Sequence, residues 1–190
     1  MGRKMDTTGG LVTFSKFPIL GTAFIPFRRL FFSPIEALGR KGILTTLLDT
    51  PHGKLRIANV HLSKGFLWAE KIRLWQLKYI FTKAGFSDSA PAVMAGDFNQ
   101  QDLIRNKKFL ALIDKNRFVH PECETLEPSY RAENKYVDIW MNRIAHSKRL
   151  DYILYHNINA LRLRYNEYRI LYQDEPLSDH DPVMLDLCSN

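Results

Sequence analysis

Four polar groups with the chemistry of proton transfer and phosphate binding stand beside apolar, strand-like runs of this chain. Three of them follow or begin the runs in "IANVHLS", "VMAGDFN" and "KRLDYIL", and the fourth, "PLSDHDP", precedes the last apolar run. The candidate residues are His61, Asp97, Asn99, Asp151, Asp179 and His180. Imidazole and carboxylate groups exchange protons near neutral pH, and an amide donates to oxygen without adding charge. If these strand ends meet at one sheet edge, the residues form a single site.

Each group taken alone also has an ordinary structural explanation. A His after a strand is more often a partly buried, hydrogen-bonded imidazole than a catalytic one. Asp97 and Asn99 are also turn formers, because Asp and Asn side chains bond to their own backbone. The string "SDHDP" equally suits a turn before Pro182. The joint occurrence of the four groups, in this order, is therefore the evidence for a site.

The hydrophobic pattern predicts more strands than helices. The runs "GILTTLLDT" and "LRIANVHLS", joined by "PHGK", predict a hairpin, because Pro51 and Gly53 are turn residues between β-compatible runs. Further strands are expected at residues 11–14 and 92–95 and in "RLDYILYH", "ALRLRYNEYRI" and "PVMLDL". The stretch "GTAFIPFRRLFFSPIEALGRKG" has neither a helical nor a strand period and predicts a long loop.

Two helices are predicted from apolar residues at helical spacing. In residues 70–84 the inward positions are Ile72, Trp75, Tyr79 and Ile80. In a second helix, over residues 102–115, they are Leu103, Leu110 and Ile113. Strands that come partly in hairpins, with helices between them, favour an α/β (α+β) fold of sheets faced by helices over a regular βαβ alternation.

The bulk composition fits one packed domain over residues 1–190, since 45% of the residues are hydrophobic and 25% are charged. The net charge of +7 favours an anionic partner, such as phosphate in nucleic acid or in a lipid headgroup. No signal-peptide core lies near the start, and no run approaches the ~20 apolar residues of a membrane span. The compartment is left open.

The strings "NVHL", "AGDFN", "RLDYIL" and "SDHDPV", in this order and at comparable intervals, resemble the endonuclease/exonuclease/phosphatase superfamily, the deoxyribonuclease-I-like proteins. The strings "GRKGILTTLL" and "PSYRAENKY" look most like its sphingomyelinase and phospholipase-C-like branch. The resemblance covers residues 9–188. It implies a four-layer sandwich of two packed mixed β-sheets flanked by helices, and metal-assisted hydrolysis of a phosphate ester.

The resemblance implies a proton-transfer group and its support. His180 would be the general base, with a pKa near neutrality suited to that task. Asp151 would hold the other ring nitrogen of His180 and select its tautomer. His61 would donate to the phosphate or serve the leaving group from the opposite side.

The resemblance also implies a metal ion bound by oxygen ligands. Asp97 would bind the metal or position the attacking water, and Asp179 would sit near the same metal. Asn99 would donate to a phosphate oxygen, where a carboxylate would repel the substrate. The expected ion is Mg²⁺, with Mn²⁺ as the alternative, because oxygen ligands dominate and the motifs carry no thiolate.

The start of the chain departs from the family pattern. In the family an Asn-bearing strand and a strand with the main metal-binding Glu precede the part that resembles "GGLVTFSKFPI". Neither strand fits before Gly9, and neither Glu36 nor Glu70 matches the motif. We therefore expect an N-terminally truncated domain with weakened metal binding and an exposed sheet edge that favours a homodimer.

Three functions compete on these grounds. The first is a sphingomyelinase-like phosphodiesterase that contacts lipid through a loop containing Phe27, Arg28, Arg29, Phe31 and Phe32; the alternative is that these side chains cover the core. The second is a nuclease, which would bind with steep salt dependence. The third is a catalytically silent phosphate-binding domain.

Overall fold

A computed structural model describes residues 9–28, 40–64, 68–121, 127–137, 146–172 and 174–189. In these residues five strands form one sheet in the order β1-β2-β3-β4-β5. Their bounds are β1 Ile19–Pro26, β2 Gly42–Thr50, β3 Gly53–His61, β4 Ala92–Asp97 and β5 Asp151–His156. Strands β3 and β4 are parallel and the other neighbours are antiparallel, so this sheet is mixed. The expected hairpin is confirmed, since β2 and β3 pair from Thr50 and Gly53 onward.

A second, antiparallel sheet and two helices complete the described fold. Strands β6 Leu163–Ile170 and β7 Val183–Ser189 form the second sheet. Helix α1, Ala69–Lys83, links the parallel strands β3 and β4, and helix α2, Lys107–Lys115, follows β4. Parallel neighbours need such a crossover, because the chain must return to the opposite end of the sheet before it starts a second strand in the same direction. The expected α/β fold of two sheets with helices is confirmed.

The hydrophobic core lies between the central strands and the two helices. Buried side chains of both helices and of strands β2 to β5 belong to one cluster that includes Ile43, Val60, Leu77, Met94, Phe109, Ile113 and Leu154. Phe98, directly after β4, is fully buried and packs edge to face against Tyr152 at 5.8 Å. The residues around the end of β4 are therefore held by the core itself.

The predicted start of the sheet is wrong. Residues 11–14 form no strand, and β1 instead begins at Ile19, directly after Pro18. Gly21–Pro26 therefore belongs to β1, where a loop was expected. Most of β1 is exposed and lies at the sheet edge. An edge strand with little burial has no strict hydrophobic alternation, which explains the misleading pattern.

The second helix is shorter than predicted. It begins at Lys107, because Asn106 is its N-cap and its side chain accepts a hydrogen bond from the Lys108 N–H. Leu103 is buried, but it lies in the turn before the helix. Within the helix Ile113 is buried, whereas Leu110 is 37% exposed. The inward face of this short helix is thus narrower than the spacing indicated.

In the first helix a polar residue takes a predicted apolar place. Trp75 is 38% exposed, whereas the neighbouring Gln76 is fully buried. The Gln76 side chain accepts a hydrogen bond from the Ser63 N–H and donates one to the Ser63 hydroxyl. Hydrogen bonds to the chain beyond β3 thus offset the cost of burying this amide.

The predicted lipid-contacting loop lies largely outside the described residues, which omit 29–39. Phe27 is 3% exposed and packs edge to face against Tyr79, so the prediction of membrane contact is wrong for this residue. The Arg28 side chain is exposed. Within the described part of the chain, neither helix combines the length and apolarity needed to span a bilayer.

The half-buried imidazole of His120 was not among the predicted site residues. His120 packs edge to face against the rings of Tyr152 and Tyr168, and the Arg149 guanidinium stacks on the same two tyrosines. Burial, followed by the charge of Arg149, lowers the pKa of His120 to about 4. The imidazole is therefore neutral in the folded protein at pH 7.

Candidate active site

Three of the predicted residues lie side by side at one end of the large sheet. His61 ends β3, Asp97 ends β4 and Asp151 begins β5, and the register pairs His61 with Asp97 and Asp97 with Asp151. Residues in register on neighbouring strands point to the same face. Accordingly, His61 Nε2 lies 3.3 Å from Asp97 Oδ2. The sheet itself thus brings together groups that are up to ninety residues apart in sequence.

The turn after β4 is built for Asp97 and Asn99. The Asn99 N–H donates to Asp97 Oδ1 at 2.6 Å, and its side-chain amide donates to Asp97 Oδ2 and to the Leu62 carbonyl, both at 2.9 Å. Gly96 has φ +142°, and a Cβ there would lie 2.0 Å from the Val60 carbonyl oxygen. Only glycine fits this position, so the string "GDFN" encodes one specific backbone shape.

The predicted Asp–His pair forms on the neighbouring strand. His180 Nδ1 lies 2.6 Å from Asp151 Oδ2, a short hydrogen-bond distance. The Ser129 hydroxyl donates to the same Oδ2 at 2.7 Å and accepts from the N–H groups of Leu150 and Asp151 at 3.0 Å each. Asp151 is therefore held from two sides, which fixes the plane and tautomer of the imidazole it meets.

A partly buried ion pair fastens the segment that carries His180. The Arg131 guanidinium contacts Asp181 through Nε to Oδ2 at 2.6 Å and through a terminal nitrogen to Oδ1 at 3.1 Å. The Asp181 side chain is only 1% exposed, and its N–H donates to the Ser129 carbonyl at 2.7 Å. The His180 ring also packs edge to face on Tyr130 at 5.3 Å. Residues 129–131 and 180–181 thus form one clamp.

The electrostatics of the site depend on burial and on the close carboxylates. Burial raises the pKa of Asp97, with the charge of Asp151 adding to it, to about 6. Burial lowers the pKa of His180, but the hydrogen bond and charge of Asp151, with the charges of Asp97 and Asp179, outweigh it and raise that pKa to about 9. His180 is therefore mostly an imidazolium at pH 7, whereas we expected a pKa near neutrality.

Asp179 directly precedes the imidazole of the Asp–His pair. Its side chain is exposed and accepts a hydrogen bond from the Ser178 hydroxyl at 3.1 Å. Its charge is among those that raise the pKa of His180. The structure thus places the charge of Asp179 near the His180 imidazole.

The sequence reasoning missed a lysine in this site. Lys41 Nζ lies 3.0 Å from His61 Nε2 and donates to the Leu62 carbonyl at 2.8 Å. Its charge also lowers the pKa of Asp97. Lys41 belongs to "GRKGILTTLL" and Ser129 and Arg131 to "PSYRAENKY", strings that carried a family likeness but no assigned role.

The described donors do not by themselves fit a resident Mg²⁺ ion. In the part of the chain that the structure covers, no group of three or more His, Cys, Asp or Glu residues is arranged to hold a metal. Both Asp97 oxygens accept hydrogen bonds from Asn99. Glu70 pairs with Lys108 at 3.0 Å, which engages it elsewhere, and Glu36 lies outside the described residues.

The fold of two sheets with polar groups at the strand ends is that of a class of phosphoesterases and nucleases, and the sequence matches a family of this class. A profile of the Endonuclease/Exonuclease/phosphatase family matches residues 5–180. The chain belongs to this family. A comparison with curated protein sequences gives no match.

Solved structures share the fold, and one of them is a sphingomyelinase C. The crystal structure of SmcL aligns with a TM-score of 0.72 and 18% identity, over 89% of this chain and 65% of SmcL. A Staphylococcus aureus beta toxin variant with bound magnesium ions aligns with a TM-score of 0.66 and 16% identity, over 93% of this chain and 66% of the toxin. Sphingomyelinase C from Streptomyces griseocarneus aligns with a TM-score of 0.62 and 15% identity, over 93% of this chain and 66% of the sphingomyelinase. The chain thus spans 65–66% of the length of these relatives.

Proposed function

We propose that this chain is a phosphodiesterase of the sphingomyelinase-like type, acting on a phosphate ester at the end of the five-stranded sheet. The observation that carries the proposal is the 2.6 Å contact between His180 and Asp151, beside Asp97 in register on the next strand. Phosphoester hydrolysis needs a base for water, donors for the phosphoryl oxygens and help for the leaving oxygen in one place. In this proposal, side chains of the site supply each of these.

In this proposal His180 exchanges the proton of the attacking water. Its neutral form is the base, and Asp151 stabilises the imidazolium that results from proton transfer. Ser129 supports the pair, because its hydroxyl keeps the Asp151 carboxylate in the plane where it meets Nδ1. His180 and Asp151 are thus the proton-transfer pair.

On the other side of the site, His61 and Asn99 would contact the phosphate. Asn99 is an uncharged donor, so it would approach a non-bridging oxygen without repulsion. Both of its side-chain N–H hydrogens donate to Leu62 and Asp97, so one of these two hydrogen bonds would be exchanged for the phosphate. His61 would donate to the phosphate or protonate the leaving oxygen. Mg²⁺, with Asp97 and Asp179 as its ligands, remains a prediction from the family resemblance, and the proposed roles of the four side chains His61, Asn99, Asp151 and His180 need no step through it.

The decisive experiment is hydrolysis by the purified chain. Sphingomyelin vesicles and a DNA duplex would each be offered with Mg²⁺, with Mn²⁺ and with EDTA, to the unmodified chain and to His180→Ala. His52→Ala is the matched control, because His52 is exposed in the β2–β3 turn. We expect hydrolysis that His180→Ala abolishes and His52→Ala leaves unchanged. Equal background for all three proteins would refute the proposal and favour a silent phosphate-binding domain.

The same experiment separates the lipid and nucleic acid substrates. The net charge of +7 suits either, so charge alone does not choose between them. A nuclease would cleave the duplex and would bind it with an affinity that falls steeply with salt. Cleavage of sphingomyelin with intact DNA would support the sphingomyelinase-like reaction.

We also propose that the chain associates with a second copy through strand β1. This strand lies at the edge of the large sheet and most of its residues are exposed. Unpaired backbone groups at such an edge are a template for another strand. Solution mass by light scattering tests this, and a monomer at all concentrations would overturn it.

A further inference from the structure

Lys41 reaches the site because of the strand register. It directly precedes β2, whose Ile43 pairs with Val60 of β3. The start of β2 and the end of β3 therefore lie at the same end of the sheet. The backbone there is anchored, since the Lys41 carbonyl accepts a hydrogen bond from the Phe27 N–H at 3.0 Å. The side chain is half-buried and turned toward His61.

The contacts of Lys41 hold its ammonium in place before any ligand arrives. Nζ donates to the Leu62 carbonyl at 2.8 Å and lies 3.0 Å from His61 Nε2. The Asn99 side chain donates to the same Leu62 carbonyl at 2.9 Å. Lys41 and Asn99 therefore share one carbonyl acceptor, and a fixed charge needs no ordering when the ligand binds.

The contact between the ammonium and the imidazole is one that a ligand can replace. An ammonium only donates, so Nε2 must accept from Lys41, yet the same nitrogen lies 3.3 Å from the Asp97 carboxylate, to which it would have to donate. One ring nitrogen cannot do both. A phosphate oxygen that accepts from Lys41 removes this conflict, because Nε2 of His61 can then carry a proton and donate it to the phosphate.

We propose that Lys41 is a phosphate-binding residue of this site, and that the chain holds phosphate through Lys41 and His61 without a divalent ion. This inference rests on the proposed phosphoesterase function and adds to it the group that carries positive charge. A lysine ammonium binds phosphate as a point charge through strong, charge-assisted hydrogen bonds. The side chains of the site itself thus supply a cation.

The test is binding of inorganic phosphate, measured by calorimetry in EDTA at constant ionic strength. Lys41→Met keeps the length of the side chain and removes its charge, and Lys41→Arg keeps the charge. Lys54→Met, on the exposed side of the β2–β3 hairpin, is the matched control. We expect phosphate to bind in EDTA, with an affinity roughly tenfold or more lower in Lys41→Met and nearly retained in Lys41→Arg. Lys54→Met should bind like the unmodified chain.

Two results would overturn the inference. The first is an unmodified chain that binds phosphate only when Mg²⁺ is present, a result that does not depend on any variant folding. The second is a folded Lys41→Met protein, by circular dichroism, with unchanged affinity. Either result, with His180-dependent hydrolysis intact, would leave the proposed function standing. Lys41-dependent binding without hydrolysis would instead support the inference and refute the proposed function.

Discussion

Replacing Asp151 by Asn tests the central pair of the site without relying on activity. The substitution keeps the shape of the side chain and an oxygen for Ser129, but it removes the charge 2.6 Å from His180 Nδ1. That hydrogen bond and charge are the largest causes that raise the pKa of His180 from 6.5 to about 9. The difference of about 2.5 pH units, at ~1.36 kcal/mol per unit, corresponds to about 3 kcal/mol.

Without the Asp151 charge, the burial that lowers this pKa is opposed only by the more distant charges of Asp97 and Asp179. We therefore expect the pKa of His180 in Asp151→Asn to fall to about 7 or below, on the order of two pH units. The measurement is a titration of the imidazole carbon–proton signals by NMR. Asp114→Asn, an exposed position of α2, is the control and should leave the pKa of His180 near 9.

The same pair links folding stability to pH. The folded-state pKa of His180 lies above its unfolded value, so its stabilisation is fully present below pH 6.5 and is lost as pH rises through about 9. The free energy of unfolding of the unmodified chain, measured in urea, should therefore fall by up to about 3 kcal/mol more than that of Asp151→Asn as pH rises through this window. If the variant keeps a His180 pKa near 9, the Asp151 contact does not hold the proton and the reasoning fails.

Three further substitutions test the surroundings of the site. Gly96→Ala would place a Cβ 2.0 Å from the Val60 carbonyl oxygen, and we expect a loss of about 3 kcal/mol or more in urea unfolding; a loss below about 1 kcal/mol would contradict the close approach. Arg131→Gln leaves the buried Asp181 carboxylate without its cation and should cost about 2–4 kcal/mol, less than a fully buried pair because the Arg131 side chain is 21% exposed; unchanged stability would show that the clamp is not formed. The pKa of His120 is lowered to about 4, so this residue contributes stability that is fully present above pH 6.5 and is lost as pH falls toward 4. His120→Phe should remove about 2 kcal/mol of the difference in unfolding free energy between pH 7 and pH 5, and an unchanged difference in urea unfolding between these two pH values would refute it.

Much of the site could be predicted because it follows from local pattern. Apolar runs with turn residues at their ends predicted the β2–β3 hairpin and strand β4, and the register of those strands then brought His61 beside Asp97. The string "GDFN" encoded its own turn, since Gly96 alone fits its backbone and Asn99 bonds directly to Asp97. Both interpretations of Asp97, as turn former and as site residue, describe the same geometry.

The helix faces show where local pattern was insufficient. Gln76 is buried and Trp75 is exposed because the amide has partners at Ser63, thirteen residues earlier in the chain. Hydrophobic periodicity counts apolar side chains along one element and contains no term for such a partner. The exposed edge strand β1 was missed for a related reason, since little of it is buried.

By itself the sequence determined which of the central strands form, where their polar ends fall, and which six residues carry the candidate chemistry. Only the tertiary structure decided that Lys41 stands beside His61, that Ser129 and Arg131 clamp the segment of His180, and that the pKa of this imidazole is raised to about 9. The physical reason is the distance along the chain over which each property is determined. Strand formation depends on neighbours a few residues away, whereas a hydrogen bond or a pKa depends on burial and on charges that the fold brings from distant parts of the chain.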